Sequence, residues 1–177
     1  MRVIAGRYGG RALTAPRGRA TRPTSDRVRE ALFSILADVS GARVLDLFAG
    51  SGALAIESLS RGAADATLVD SSAAAVAAIR GNLARLGIEA KVHREPVLKF
   101  LERARGSAPQ YDLVFLDPPY RHAGSLSTQL TAALAPMLAP EARVVAESDR
   151  RDPLELSLEL LDVRRYGDTL IQIHGSR

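Results

Sequence analysis

Asp117-Pro118-Pro119-Tyr120 sets an acid, two prolines and an aromatic ring directly after the apolar run Val114-Phe115-Leu116. These residue types suit one kind of chemistry, the activation of an amine on a planar ring. Such an amine is a poor nucleophile because its lone pair is delocalised into the ring. The Asp117 carboxylate and the Pro118 carbonyl can each accept one of its N–H bonds, which turns the lone pair toward an electrophile. Neither proline has an N–H of its own, so the turn presents its carbonyls rigidly. Tyr120 would stack on a base turned out of its helix and hold it in line. The reaction would be a direct displacement that relies on proximity and electrostatics, with no covalent enzyme intermediate.

A second constellation lies upstream. Asp46 lies within the apolar stretch Val44 to Phe48, and Gly50-Ser51-Gly52 follows before a helical pattern. Glycines at a strand-to-helix turn let the backbone approach a ligand, and helix-start amides face it. Asp70 ends the next apolar stretch twenty residues after Gly50, where a carboxylate can accept both hydroxyls of a ribose. Gly50, Gly52 and Ala55 also satisfy the dinucleotide fingerprint. Asp46 argues against that reading, because a carboxylate at the strand end would face the pyrophosphate. S-adenosylmethionine carries an ammonium and a sulfonium, which a carboxylate favours.

The charge is unevenly distributed. Residues 1–30 hold eight arginines against Asp26 and Glu30, a balance of +6 in a chain of net charge +4. The remainder is therefore slightly acidic, and the basic excess belongs to one end. Arg2, Arg7, Arg11, Arg17, Arg19, Arg22, Arg27 and Arg29 are candidate phosphate ligands, since the guanidinium fork makes paired hydrogen bonds. Nucleic acid is the expected partner. The absence of cysteine excludes disulfides and thiolate chemistry, and three scattered histidines (His93, His122 and His174) make a metal cage unexpected. No apolar run has the length of a membrane span, so a cytoplasmic monomer without a metal is the expectation.

The elements that must position these residues follow from hydrophobic period. At 177 residues there is room for one well-buried domain. Val3 to Ala5 and Arg11 to Ala15 read as a hairpin around Gly9-Gly10, and a helix capped by Ser25 or Thr24 runs to about Asp38. Short strands are then expected at 44–48, 66–70, 90–93, 113–116 and 142–146, with helices between them and a closing hairpin over 156–173 around Gly167-Asp168. Gly87 reads as a helix cap and Pro96 as a first-turn residue. Alternating strands and helices predict an α/β fold, a doubly wound, mostly parallel sheet with ligands at the C-terminal strand ends. Residues 1–24 are expected to form a basic RNA-binding extension and residues 25–177 the catalytic domain. Loss of the first 22 residues is expected to leave the core folded.

Four stretches carry a family resemblance: Arg2 to Leu13 (RVIAGRYGGRAL), Arg22 to Phe33 (RPTSDRVREALF), Val44 to Leu54 (VLDLFAGSGAL) and Leu116 to Tyr120 (LDPPY). The last two recur in many methyltransferases; the first two are the more specific. Together they resemble the RsmD family of guanine-N2 methyltransferases of small-subunit ribosomal RNA. The resemblance implies a seven-stranded class I (Rossmann-like) methyltransferase fold, with S-adenosylmethionine as donor and S-adenosylhomocysteine as product. It implies a cofactor pocket of Asp46, Phe48, Gly50, Ser51, Gly52, Asp70 and Ser71, and a base site at Asp117, Pro118, Pro119 and Tyr120. The partner would be ribosomal RNA or an assembling small subunit. The sequence departs from its relatives at Arg94-Glu95-Pro96-Val97, where Pro96 cannot donate a hydrogen bond. The adenine contact then falls to the Val97 N–H or the Glu95 carboxylate. Glu57 reads as a helix-face carboxylate. A DNA adenine or cytosine amine, or a glutamine amide, would suit the same turn, and a dinucleotide-dependent oxidoreductase or a non-catalytic RNA-binding module are readings of other classes.

Overall fold

A computed structural model describes residues 1–16, 25–106, 110–118 and 123–176, with the side chains of 123–126 left aside. Ser25 caps the first helix, α1 (Asp26–Leu36), by accepting the N–H of Val28. Alternation then produces β1 (Arg43–Leu47), α2 (Ala53–Ser60), β2 (Asp65–Val69), α3 (Ala73–Leu86), β3 (Lys91–His93), α4 (Val97–Ala104), β4 (Tyr111–Leu116) and α5 (Ala123–Leu134). A short turn of 3-10 helix, Ala135–Met137, leads into β5 (Leu138–Asp149), and β6 (Glu159–Tyr166) and β7 (Thr169–Gly175) close the chain. α3 ends where expected, at Gly87 in the left-handed conformation with φ of 65°.

The seven strands form one sheet in the order β3-β2-β1-β4-β5-β7-β6. All pairs are parallel except those of β7, which runs antiparallel to β5 and β6. Chain order reverses between β1 and β4, the place where an open α/β sheet leaves a crevice at its C-terminal edge. Helices cover both faces. Leu32, Phe33 and Leu36 of α1, Ile56 of α2 and Ile79 and Leu83 of α3 pack with Val44, Leu68, Phe115 and Val145 on one side. Phe100 and Leu101 of α4 and Leu130 and Leu134 of α5 pack with Leu45, Leu47, Val114 and Ala146 on the other. Successive strand residues thus go to opposite cores, which is the period of two that a doubly covered sheet requires.

Two expectations change. β5 runs through to Asp149 instead of ending at Ala146, because antiparallel pairing with β7 carries it on. The N-terminal segment forms no extended hairpin strands; it holds one bridge, Arg2 to Ala12, closed by Val3 N–H to Arg11 carbonyl. Nor is it a detached arm, since Val3 (0% exposed) and Leu13 (6%) sit in the same core as α1 and α2. No helix among the described residues is long and apolar enough to cross a membrane.

Candidate active site

The turn after β1 has an unusual backbone. Phe48, Gly50 and Gly52 all have positive φ, at 62°, 57° and 76°. Phe48 is the notable one, since a bulky side chain rarely occupies the left-handed region outside functional turns. The turn is tied to the end of β2: Ala49 N–H donates to the Val69 carbonyl, and Gly50 N–H donates to Asp70 Oδ2 at 2.9 Å. Asp70 Oδ1 accepts the Ser72 N–H at 2.8 Å, while Ser71 stays exposed beside it. The two glycines have different duties. A side chain on Gly52 would stand 2.9 Å from Leu68 Cδ2, so that glycine serves packing. Among the described residues one on Gly50 would meet only the Phe48 carbonyl, at 3.9 Å, so Gly50 turns its backbone toward open space.

Asp46 lies beneath this turn, 2% exposed, with Oδ2 accepting the Ala55 N–H of α2 at 3.1 Å. Burial pushes its carboxyl up to about 8; the Ala55 hydrogen bond opposes the shift and the neighbouring Asp70 adds to it. Two buried carboxyl groups, Asp46 and Asp70, thus share one corner, and the charge that Asp46 feels there is negative. A positively charged ligand fits such a corner and a pyrophosphate does not.

Ser51 departs from its expected place. It is buried, its hydroxyl points to Met1 Sδ at 3.4 Å, and its carbonyl accepts from Asn82 Nδ2 at 3.0 Å. Glu95, one of the two candidates for an adenine contact, is engaged by a neighbouring side chain. Arg103 Nη2 holds Glu95 Oε1 at 2.5 Å, and that guanidinium keeps the Glu95 carboxyl below its ordinary range. Val97 opens α4 behind Pro96, and no side chain caps that helix start among the described residues.

Asp117 follows β4 directly and is half-buried, and Pro118 is buried. Leu47 pairs with Leu116 in the β1–β4 ladder, so Phe48 and Asp117 leave the sheet at one level on adjacent strands. Pro119, Tyr120 and His122 lie outside the described residues, as do Arg17, Arg19 and Arg22. Phe115, two residues before Asp117, has its ring 6.0 Å from that of Phe33, which fixes α1 across the strand that carries the acid.

The basic surface is smaller than the arginine count suggests. Arg2, Arg7, Arg11 and Arg27 are exposed, and Arg7 stands over the Tyr8 ring at 5.4 Å. Arg29 is not part of it: it is 1% exposed and donates through Nη2 to Asp26 Oδ1 and the Arg2 carbonyl, so it anchors the N-terminal strap. Two further anchors have no signature in the sequence. Glu57 is fully buried, not on an open helix face; it accepts the Ile4 and Ala5 N–H groups at 2.7 and 3.1 Å and is paired with Arg61 at 2.8 Å. Asn82, also fully buried, accepts the Thr14 N–H at 2.8 Å and donates to the Thr14 and Ser51 carbonyls. One further carboxylate, Glu147, is 5% exposed at the C-terminal part of β5. Its signal in the sequence is an acid directly after an apolar run, the position Asp70 and Asp117 also hold.

The family model described as conserved hypothetical protein 95 matches residues 1–174. Ribosomal RNA small subunit methyltransferase D of Escherichia coli is 42% identical over 151 residues, which cover 84% of this chain and 75% of that relative. YlbH of Bacillus subtilis, named as a candidate rRNA methyltransferase, is 37% identical over 183 residues and the full length of both chains. Among solved structures, the candidate methyltransferase yhhF of Escherichia coli superposes with a TM-score of 0.85 at 35% identity, covering 100% of this chain and 98% of that one. The sheet order, the acid-flanked glycine turn and these matches agree, and the chain belongs to the conserved hypothetical protein 95 family, the RsmD family of class I methyltransferases.

Proposed function

We propose that the protein transfers a methyl group from S-adenosylmethionine to the exocyclic N2 amine of a guanine in small-subunit ribosomal RNA. The observation that carries this reading is the register of β1 and β4, which brings the glycine turn and Asp117 out of the sheet side by side. Membership of the methyltransferase D family supports the choice of substrate. The donor supplies an electrophilic methyl on a sulfonium. Gly50 and Phe48 line its place with backbone, Asp70 accepts its ribose hydroxyls, Ser71 lies at the rim and the Val97 N–H meets its adenine. Asp46 lies beneath the turn, where the positive charge of the donor favours its ionised form over the protonated one that burial imposes.

Asp117 and the Pro118 carbonyl accept the two amine N–H bonds and orient the nitrogen lone pair toward the methyl. The Asp117 carboxylate then takes the proton that the nitrogen loses. Tyr120 stacks on the extruded base, and Pro119 stiffens the turn that carries it. Arg2, Arg7, Arg11 and Arg27 hold the RNA backbone, and the half of the basic segment at Arg17, Arg19 and Arg22 extends that contact. Residues 1–24 then act as an RNA-binding strap on a catalytic body of residues 25–177.

Labelled methyl transfer to small-subunit RNA lacking the modification, followed by nucleoside identification, tests the reading directly. N2-methylguanosine is the expected product; no incorporation, or label in another nucleoside, overturns it. Asp117→Ala should abolish transfer while donor affinity stays within about threefold, because its contacts are made to the amine in the transition state. Asp70→Ala should instead weaken donor binding by roughly tenfold or more, the worth of a charge-assisted hydrogen bond to a hydroxyl. Equal losses of donor affinity in the two variants would contradict this division of roles.

A further inference from the structure

An Asp-Pro turn activates any ring amine, so a second group must choose the base. The chemistry of that choice is simple. The amine of adenine lies beside N1 and that of cytosine beside N3, and both ring nitrogens are bare acceptors. The amine of guanine alone lies beside a ring N–H, at N1. An acceptor placed next to the amine-binding carboxylate therefore selects guanine and repels the other two.

We propose that Glu147 is that acceptor and is the specificity-determining residue of this site. The inference rests on the methyl-transfer reading above and deepens it. β5 runs parallel to β4 with Leu116 opposite Ala146. Asp117 and Glu147 are therefore the next residues on two neighbouring strands, at one level and about 5 Å apart in the sheet. They also belong to one face. Phe115 and Val145, two residues before each, both enter the core under α1. Ile171, which faces Glu147 across the antiparallel ladder with β7, enters it too. A period of two then assigns Glu147 to that face, and the same alternation, continued one residue past β4, assigns Asp117 to it.

Glu147 is 5% exposed between Val145 and Ile171, both apolar and buried. A carboxylate taken out of water at such a place costs several kcal/mol unless it is met by donors. Carboxylates held in this way at the C-terminal edge of a parallel sheet are characteristic of ligand sites. Ionised, it has two oxygens and about four lone-pair directions, so it accepts a guanine N1–H alongside the contacts it already makes. Asp117 on N2–H and Glu147 on N1–H then grip the Watson–Crick edge of the flipped base at two adjacent donors. An unprotonated ring nitrogen in place of N1–H sets lone pair against carboxylate, and the amine is not held in line.

The experiment compares small-subunit RNA carrying guanine at the target position with the same RNA carrying 2-aminopurine. That base keeps the 2-amine but has a bare N1. For the wild-type enzyme kcat/KM should favour guanine by about a hundredfold or more, as expected for a site built around a donor the analogue lacks. Glu147→Gln offers an amide N–H to the bare N1 and should reduce the preference to within about tenfold, with donor affinity preserved. The loss of O6 in 2-aminopurine is common to both enzymes and cancels from this comparison. An unchanged preference in Glu147→Gln, even with slower turnover, overturns the proposal and leaves Glu147 as an anchor of the catalytic turn. So does a wild-type enzyme that uses both bases equally, a result that needs no variant to fold. A wild-type enzyme that methylates neither RNA sinks the function itself, which is a different failure from the loss of base selection.

Discussion

Asp46 binds a proton more tightly in the folded protein than in the unfolded chain, because burial raises its carboxyl from the ordinary 3.8 to about 8. Between those two values folding takes up a proton, so this residue makes the protein less stable as pH rises. The slope for one such group approaches roughly 1.4 kcal/mol per pH unit where the two states differ by a full proton. Asp46→Asn removes this dependence. Urea unfolding between pH 5 and pH 8 should show a stability that falls with pH in the wild type and a flatter profile in the variant. Parallel profiles would mean that Asp46 is not held in its protonated form. The two glycines of the same turn separate cleanly. Gly52→Ala drives a methyl into Leu68 and should lower stability by about 1–3 kcal/mol, as overpacking does. Gly50→Ala meets no atom of the described residues closer than 3.9 Å, so its cost is the backbone strain of a φ of 57°, and it should also weaken donor binding, measured by calorimetry.

At the scale of elements, the N-terminal strap is held by buried polar side chains of the two helices that flank the glycine turn. Glu57 of α2 satisfies two backbone donors and one guanidinium, and Asn82 of α3 holds Thr14 and Ser51 together. Removing an acceptor from buried donors costs more than the hydrogen bonds are worth, since the donors stay out of water. Glu57→Ala should therefore lose about 3–5 kcal/mol in urea unfolding, with Glu57→Gln losing less. Gly6 is a second fixed point, because a Cβ there would stand 1.9 Å from the Ser60 carbonyl oxygen at a φ of 79°. Gly6→Ala should displace the strap from α2 and expose Tyr8, whose N–H bonds to Ser60 Oγ. Faster cleavage of the N-terminal segment by a protease, with the body intact, is the expected sign; wild-type protection would show that the strap is held elsewhere.

The whole molecule joins a slightly acidic body to a basic end, and the two share one core. Truncating the first 15 residues removes Val3 and Leu13, each worth about 1.5–3 kcal/mol of burial, so truncation confounds RNA binding with stability. Substitution of exposed arginines is the cleaner test. Arg7→Ala, Arg11→Ala and Arg27→Ala leave the core untouched, and each phosphate ligand removed should reduce the salt dependence of RNA affinity by about one unit of slope. Arg29→Ala should behave differently. It leaves the Arg2 carbonyl and Asp26 without their buried donor, and its effect should appear in unfolding. A slope unchanged in the three exposed variants would remove the strap from the RNA interface.

The sequence alone determined the order of elements, because each strand is a short apolar run and each helix repeats with its own period. It also singled out Asp46, Gly50, Asp70 and Asp117 as candidates for the site, since acids and glycines at strand ends are local features with one-dimensional signatures. The tertiary structure decided what depends on neighbours distant in the chain. It sent Arg29 and Glu57 inward, made Ser51 a partner of Asn82, and separated Gly50, which faces open space, from Gly52, which faces Leu68. It extended β5 far enough to bring Glu147 beside Asp117, thirty residues away in the chain and one strand away in the sheet. Burial and pairing are sums over the whole packing, so a charged residue reads the same in the sequence whether it meets water or another strand.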